Sequence, residues 1–313
     1  MAKTNDVLPS GRDVPFAEIE ATLARLVRDG RRRKRSPARA LTATVIVIGG
    51  TPRLAAAAEA LEQLGESAGV RAILISEGPH TAPIAHVTEN AIAIDGLAPR
   101  FLNNAVAALR LSSLPAAVWW RGGSIEALDD LARLADRLVL DLEDPDPAWR
   151  RAADVFETTA LTDLRWTRLT RWRSALAHLF DLPKVRDAGS SFRRLSIAAT
   201  DRDAARLFAG WLRSRLRWPA DFPIDITADD GAAGDAASPL TRVALEGTGL
   251  SITLQVRQGR GCLAAAVDGL DASTRIVPLG DGSLASLIGE ELGVRTRDLA
   301  FEQALAAALE IHQ

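Results

Sequence analysis

LTATVIVIGGTP, residues Leu41–Pro52, carries an apolar run, two glycines and a proline in succession. It continues an apolar run over Ala40–Ile48 that is rich in threonine, valine and isoleucine. A run without alternation belongs to a strand buried on both faces, as in a parallel sheet covered by helices on either side. Gly49-Gly50-Thr51-Pro52 then turns the chain, and a helix is predicted from Arg53 to about Ser67, with Leu54, Leu61 and Leu64 facing inward.

Downstream of this unit the alternation repeats. Arg71–Ser76 reads as a second strand and Val87–Asp95 as a third, joined through the loop Glu77–Ile84. A helix near Pro99–Ser112 carries Leu102, Val106 and Leu109, and Pro115–Trp120 is a short buried strand. Ser124 is placed as the N-cap of a helix through Arg133, and Arg137–Asp141 is a further strand. Strands alternating with helices predict an α/β domain over residues 36–181, with a doubly wound, mostly parallel, Rossmann-like sheet. Binding residues in such sheets gather at the carboxyl ends of the strands. Gly49-Gly50, Ser76-Glu77 and Trp119-Trp120-Arg121 are therefore expected along one edge. Gly49, Gly50 and Thr51 are candidate anion-binding residues through backbone N–H groups at a helix N-terminus, the alternative being a plain tight turn.

Residues 1–35 are expected to form a helical arm and basic connector. A helix is predicted near Val14–Asp29, with Ile19, Leu23, Leu26 and Val27 on one stripe, ending at Gly30. The run Arg31–Arg35 is read as a solvated connector rather than a phosphate-binding patch. LPKVRDAGSS, residues 182–191, has the composition of a linker. Residues 192–313 then read as a smaller α+β domain with an antiparallel sheet. Phe192–Ala199 is a strand, and Asp201–Arg217 is a helix capped by Asp201. Past the polar loop Asp229–Ser238, strands are predicted at Thr241–Glu246, Ser251–Arg257, Cys262–Asp268 and Arg275–Leu279. Helices at Ser283–Leu292 and Asp298–His312 close the chain.

Composition narrows the function classes. The 313 residues are 47% hydrophobic and 25% charged, in the range of globular proteins. Lys and Arg number 38 against 40 Asp and Glu, so no global charge draws the chain to nucleic acid or to a membrane surface. No stretch approaches the ~18 apolar residues of a membrane span, and MAKTNDVLPSGRD lacks a secretory core. The expectation is a cytoplasmic protein with neither membrane nor nucleic acid as partner. A single cysteine, Cys262, excludes an intramolecular disulfide and is read as a buried structural thiol.

A search for chemistry returns little. Gly259-Arg-Gly261-Cys-Leu-Ala264 matches a loose dinucleotide fingerprint but lies between two antiparallel strands, where a hairpin turn is the simpler reading. His80 and His86, with Glu77 and Glu89 nearby, lack the spacing of a metal site. Asp141, Glu143, Asp144 and Asp146 form an acidic loop read as a solvated turn. No catalytic constellation, metal or cofactor is expected, and the chain is read as not an enzyme.

Five of the seven tryptophans fall between Leu114 and Phe180. They cluster in LPAAVWWRGG (Leu114–Gly123), at Trp149, and in DLRWTRLTRWRSALAHLFD (Asp163–Asp181). The second block is amphipathic, with Leu169, Trp172, Leu176, Leu179 and Phe180 on one stripe beside four arginines. Either these residues are core, or they are an exposed surface of the Trp and Arg types that dominate interface hot spots. The candidate partner-binding residues are Trp119, Trp120, Arg121, Trp166, Arg168, Arg171, Trp172 and Arg173.

Both blocks resemble the signature blocks of the OpcA-type glucose-6-phosphate dehydrogenase assembly protein family, and LTATVIVIGG (Leu41–Gly50) and the two-part layout are similar as well. The resemblance runs roughly from Ala38 onward. It implies a non-enzymatic protein that binds glucose-6-phosphate dehydrogenase, assists its assembly into an active oligomer and activates it allosterically, supporting the oxidative pentose phosphate pathway. NADP would then belong to the partner. Thioredoxin-type control, associated with some members, needs paired cysteines, and the lone Cys262 departs from that pattern. The alternative is an enzyme or sensor of sugar phosphates or nucleotides that uses the strand-end cleft of the first domain.

Overall fold

The computed structural model describes residues 7–8, 11–32, 41–80, 84–229, 238–257, 259–268, 273–294 and 296–311. It divides the chain into two compact units: residues 1–163 with 284–297, and residues 164–283 with 298–313.

The first unit is built on an eight-stranded sheet: β1 (Arg12–Pro15), β2 (Ala43–Ile48), β3 (Val70–His80), β4 (Ile84–Val87), β5 (Ala91–Leu97), β6 (Ala116–Trp120), β7 (Arg137–Leu140) and β8 (Ala160–Asp163). Their order is β1-β4-β5-β3-β2-β6-β7-β8, and the six from β5 to β8 are mutually parallel. Helices α1 (Ile19–Arg32), α2 (Thr51–Ala68), α3 (Leu102–Leu109), α4 (Leu128–Leu134) and α5 (Asp146–Phe156) complete its N-terminal part. Thr44 to Ile48 and all of β6 are buried, as the unalternated apolar runs require of strands covered on both faces. The Rossmann-like α/β reading holds.

Local differences have local causes. The expected third strand is a hairpin, because the chain reverses at Glu89–Asn90. There Thr88 N–H donates to the Ala91 carbonyl at 2.8 Å, and Ala91 N–H to the Thr88 hydroxyl at 3.0 Å. The arm begins as an edge strand, β1, antiparallel to β4, so its helix starts at Ile19 rather than near Val14. Ser124 does not cap the next helix through its side chain; its hydroxyl donates to Glu126 and a 3-10 turn, Ile125–Ala127, precedes α4. Arg33, Lys34 and Arg35 of the basic run, residues 230–237 of the polar loop, and His312 lie outside the described residues.

A segment from far along the chain completes this unit. The helix Leu284–Gly293 packs on α2, and Glu291 forms an ion pair with Arg137 of β7, Nε to Oε2 being 2.9 Å. Both side chains are more than nine-tenths buried. Breaking such a pair leaves an uncompensated charge in a low-dielectric interior.

The second unit carries β9 (Phe192–Ala199), β10 (Ile224–Ala228), β11 (Leu240–Gly247), β12 (Ser251–Arg257), β13 (Cys262–Asp268) and β14 (Ser273–Pro278), in the order β10-β9-β11-β12-β13-β14. Its helices are α6 (Leu164–Arg168), α7 (Thr170–Phe180), α8 (Pro183–Asp187), α9 (Arg202–Leu216) and α10 (Leu299–Leu309). The sheet is antiparallel except for β9 and β10, which are parallel because α9 carries the chain between them as a crossover. Leu195, Ile197, Val243, Leu245, Ile252, Leu254, Leu263 and Ala265 alternate along the strands and are buried on one face. Residues 182–191, expected as a linker, lie inside this unit: α8 forms there and Val185 is fully buried. Cys262 is half-buried rather than enclosed, because its strand parity sets it on the face opposite Leu263.

Helices α9 and α10 meet at Gly210. A methyl group there would overlap the Ala304 carbonyl oxygen and lie 2.7 Å from the Ala308 nitrogen. Gly210→Ala is therefore expected to destabilise the second unit by about 1–3 kcal/mol. Glu291→Ala, which strands Arg137, should cost the first unit about 3–5 kcal/mol. Urea unfolding of the two variants, read by local tryptophan fluorescence and far-UV dichroism, checks both values.

Candidate functional site

In the first unit the chain leaves β2 toward β3 and β5, then returns to β6 on the other side. The strand order reverses between β2 and β6, and a crevice is expected outside their carboxyl ends. Four of the singled-out residue groups meet around it: Gly49–Thr51 after β2, Glu77 in the terminal part of β3, Arg121 after β6 and Asp141 after β7.

Arg121 occupies the centre of this arrangement. Its backbone N–H continues the ladder to the Ile48 carbonyl at 2.7 Å. Its Nε donates to Asp141 Oδ2 at 2.8 Å and its Nη1 donates to the Arg53 carbonyl. The guanidinium also lies over the Trp119 ring, 4.7 Å from the centroid. Arg53, in the first turn of α2, donates to the Asp141 carbonyl at 2.6 Å and to Glu143 Oε1 at 3.2 Å. Gly49 makes room for this network, since a methyl group there would sit 3.1 Å from Arg121 Cβ. Asp141 and Glu143, read from sequence as members of a solvated acidic loop, are thus held by Arg121 and Arg53. Beside them, Gly50 is exposed at the start of α2, with open space where a side chain would stand.

Trp119 and Trp120 point to opposite faces of β6, and both are about 1% exposed. Neither indole N–H has a hydrogen-bond partner among the described residues. The two tryptophans are core, because helices cover both faces of the strand. They offer no surface to a partner, and Arg121 is likewise buried.

Glu77 closes the far side of the edge. Its Oε2 accepts from Ser124 N–H at 2.8 Å, while its Oε1 is buried without a partner. Burial raises its pKa above the ordinary 4.5; the Ser124 hydrogen bond opposes this and the Glu126 charge adds to it. His86 does not join Glu77, since its Nδ1 is paired with Asp13 at 2.6 Å. Among the described residues no three His, Cys, Asp or Glu side chains are grouped to hold a metal.

The remaining candidates lie in the second unit, where the tryptophan–arginine block forms α6 and α7. Arg165 Nε pairs with Asp201 Oδ2 at 3.0 Å, and Trp166 Nε1 donates to Asp298 Oδ2 at 2.8 Å. Asp201 and Asp298 are the N-caps of α9 and α10, their other oxygens accepting from Asp203, Ala204, Ala300 and Phe301 N–H groups. Two adjacent residues therefore hold the caps of the two closely packed helices. Trp172 donates to the Ser238 hydroxyl at 3.0 Å and meets Phe208 edge-on. Both Trp166 and Trp172 are buried. Arg173 lies over Trp166, 3.5 Å from the ring centroid. Of the predicted partner-binding residues, Arg171 is exposed and Arg168 and Arg173 are half-exposed. Arg168 and Arg171 make no ion pair among the described residues. Asp201 was legible as a cap from its position before an apolar run; its pairing with Arg165, and that of Asp298 with Trp166, had no sequence signal.

A parallel sheet with a reversal point, together with a unit built on a second mixed sheet, defines an α/β protein of the Rossmann-like class. An oxidoreductase from Sinorhizobium meliloti is a solved structure similar in fold, with a TM-score of 0.51 at 9% identity, covering 86% of this chain and 95% of that one. Within that class, residues 159–305 match the family described as the C-terminal domain of a glucose-6-phosphate dehydrogenase subunit, and the resemblance to the OpcA type holds. The putative OxPP cycle protein OpcA of Nostoc punctiforme is 30% identical over 122 residues, 36% of this chain and 26% of that protein. Its namesake from Synechocystis sp. is 29% identical over 126 residues, 37% of this chain and 26% of that protein. The matches thus span about a quarter of the length of these relatives. Among the described residues no helix is long and apolar enough to cross a membrane.

A pH dependence follows from Glu77. Because its folded pKa is raised, the folded state holds the proton more tightly, and stability falls as pH rises from the ordinary 4.5 through the folded value. Glu77→Gln keeps an acceptor for Ser124 and removes the ionisation. The variant is expected to match the parent in acid and to exceed its melting temperature at neutral pH, as measured by thermal scans across the range.

Proposed function

We propose that this protein is a non-enzymatic partner of glucose-6-phosphate dehydrogenase that assists its assembly and shifts it toward the active, high-affinity oligomer. The observation that carries the reading is the occupation of the reversal-point crevice by the chain's own Arg121, neutralised by Asp141 and tied to Arg53. A site for a nucleotide pyrophosphate needs free donors and unspent positive charge at that place. Here the positive charge of Arg121 and Arg53 is engaged internally, and the fold serves as a scaffold. The family that residues 159–305 match adds support, being described as a domain of a subunit of that dehydrogenase.

The mechanism is differential binding. The protein contacts the active oligomer better than the inactive one, and the dehydrogenase's affinity rises by the same free energy. NADP stays on the dehydrogenase. Arg168 and Arg171 are the candidate contacts, because their charge reaches the surface of α6 and α7 while Trp166 and Trp172 anchor those helices through Asp298 and Ser238. One observation favours the alternative sugar-phosphate or nucleotide ligand, namely the open space beside Gly50 at the first turn of α2. In that case a sugar phosphate alone raises the melting temperature, and Gly49–Thr51 bind it.

Titrating the purified chain into the dehydrogenase, with NADPH formation followed at subsaturating substrate, should give a saturable rise in rate and a larger particle by light scattering. No complex and no rate change would reject the proposal. The double variant Arg168→Glu with Arg171→Glu is expected to raise the half-saturating concentration about tenfold, with unchanged dichroism. Unaltered activation by that variant would move the contact elsewhere.

A further inference from the structure

Among the described residues, helices pack on one face only of the six-stranded sheet of the second unit. The side chains on its other face follow from strand parity and register. Across its centre run Ser196, Ala244, Thr253, Ala266 and Thr274, each aligned with its neighbour on the next strand. The next row toward one end is Ala198, Arg242, Gln255, Ala264 and Ile276. A depression of about 840 Å³ lies over this part of the face, lined by residues of both rows.

Two properties set this face apart from a solvated one. Solvated sheet faces carry long charged side chains, whereas the centre here is alanine, serine and threonine, and Ile276 stands 56% exposed at its margin. Charge without an ion pair among the described residues is also sorted by end. Arg242 and Arg257 lie toward one end, and neither makes an ion pair among the described residues. Glu246 and Asp268 lie toward the other, Glu246 likewise without an ion pair there. The other charged groups on the face are engaged locally, Asp229 by the Thr241 hydroxyl at 2.6 Å and Arg194 by Asp225 at 2.6 Å.

We propose that this open face is a self-association surface, on which a second copy of the chain packs sheet against sheet. Small side chains let two sheets approach to the ~10 Å of face-to-face packing. The sorted charges select the symmetry. A two-fold axis lying between the sheets and perpendicular to the strands sets Arg242 and Arg257 of one copy over Glu246 and Asp268 of the other. An axis along the strands would oppose like charges. The pattern is thus complementary to itself, as an isologous interface requires, and each charge contact occurs twice. Five strands of about seven residues present on the order of 600 Å² of face, approaching the ~800 Å² per partner of a standard interface.

Sedimentation velocity on the full chain across a concentration series tests this, with far-UV dichroism as the folding control. The parent is expected to dimerise. Ala266→Arg, at the centre of the face, should abolish the dimer. Arg242→Glu should weaken it at least about tenfold, since two repulsive contacts appear at once. Arg242→Glu combined with Glu246→Arg, which reverses the charge order but restores self-complementarity, should recover it. The swap keeps the test decisive if the arginine insertion fails to fold. A monomeric parent at high micromolar concentration, a dimer indifferent to folded Ala266→Arg, or a double swap no better than Arg242→Glu alone would overturn the proposal.

Discussion

A carboxylate taken out of water must be met by donors, and both units of this protein are organised around meeting that demand. Buried Asp141, Glu291 and Asp163 are held by Arg121, Arg137 and the Trp149 indole, and the half-buried caps Asp201 and Asp298 by Arg165 and the Trp166 indole. A buried carboxylate left unpaired costs several kcal/mol, whereas a charge-assisted hydrogen bond contributes roughly 1.5–3. The tryptophans and arginines concentrated between Leu114 and Phe180 supply most of these donors. Tryptophan suits the role because it adds a large apolar body to the core and brings a single N–H to one acceptor.

This changes the meaning of the two signature blocks. A cluster of Trp and Arg on a surface marks an interface, and the same composition inside a fold marks a set of anchors. In the first unit the block fills the sheet's reversal point and spends its positive charge there. In the second it pins the caps of α9 and α10, whose close approach at Gly210 leaves no tolerance for misplacement. On the outward side of the same helices Arg171 is exposed and Arg168 half-exposed, with no ion pair among the described residues.

Much of the architecture was readable locally. The unalternated run at Ala43–Ile48, the glycine turn and the helix beyond it announced a parallel sheet, and Gly259–Gly261 read correctly as a hairpin turn rather than a nucleotide fingerprint. The misread elements share a cause. The edge strand β1 exists only through its pairing with β4, and 182–191 looked like a linker because Pro, Gly and Ser composition says nothing of Val185 finding a buried site. The return of Leu284–Gly293 to the first unit rests on Arg137 meeting Glu291 across a separation of 154 residues.

By itself the sequence determined the periodicities, and with them the parallel and antiparallel sheets, the Asp201 cap and the OpcA-type resemblance, because each is written in the spacing or identity of neighbouring residues. The tertiary structure alone decided which partner each arginine would meet, that Trp119, Trp120, Trp166 and Trp172 are core, and that Arg121 is buried at the sheet's reversal point. Those choices follow from long-range pairing and burial. A side chain's local sequence states its chemistry, but only the packed chain sets how much water it keeps.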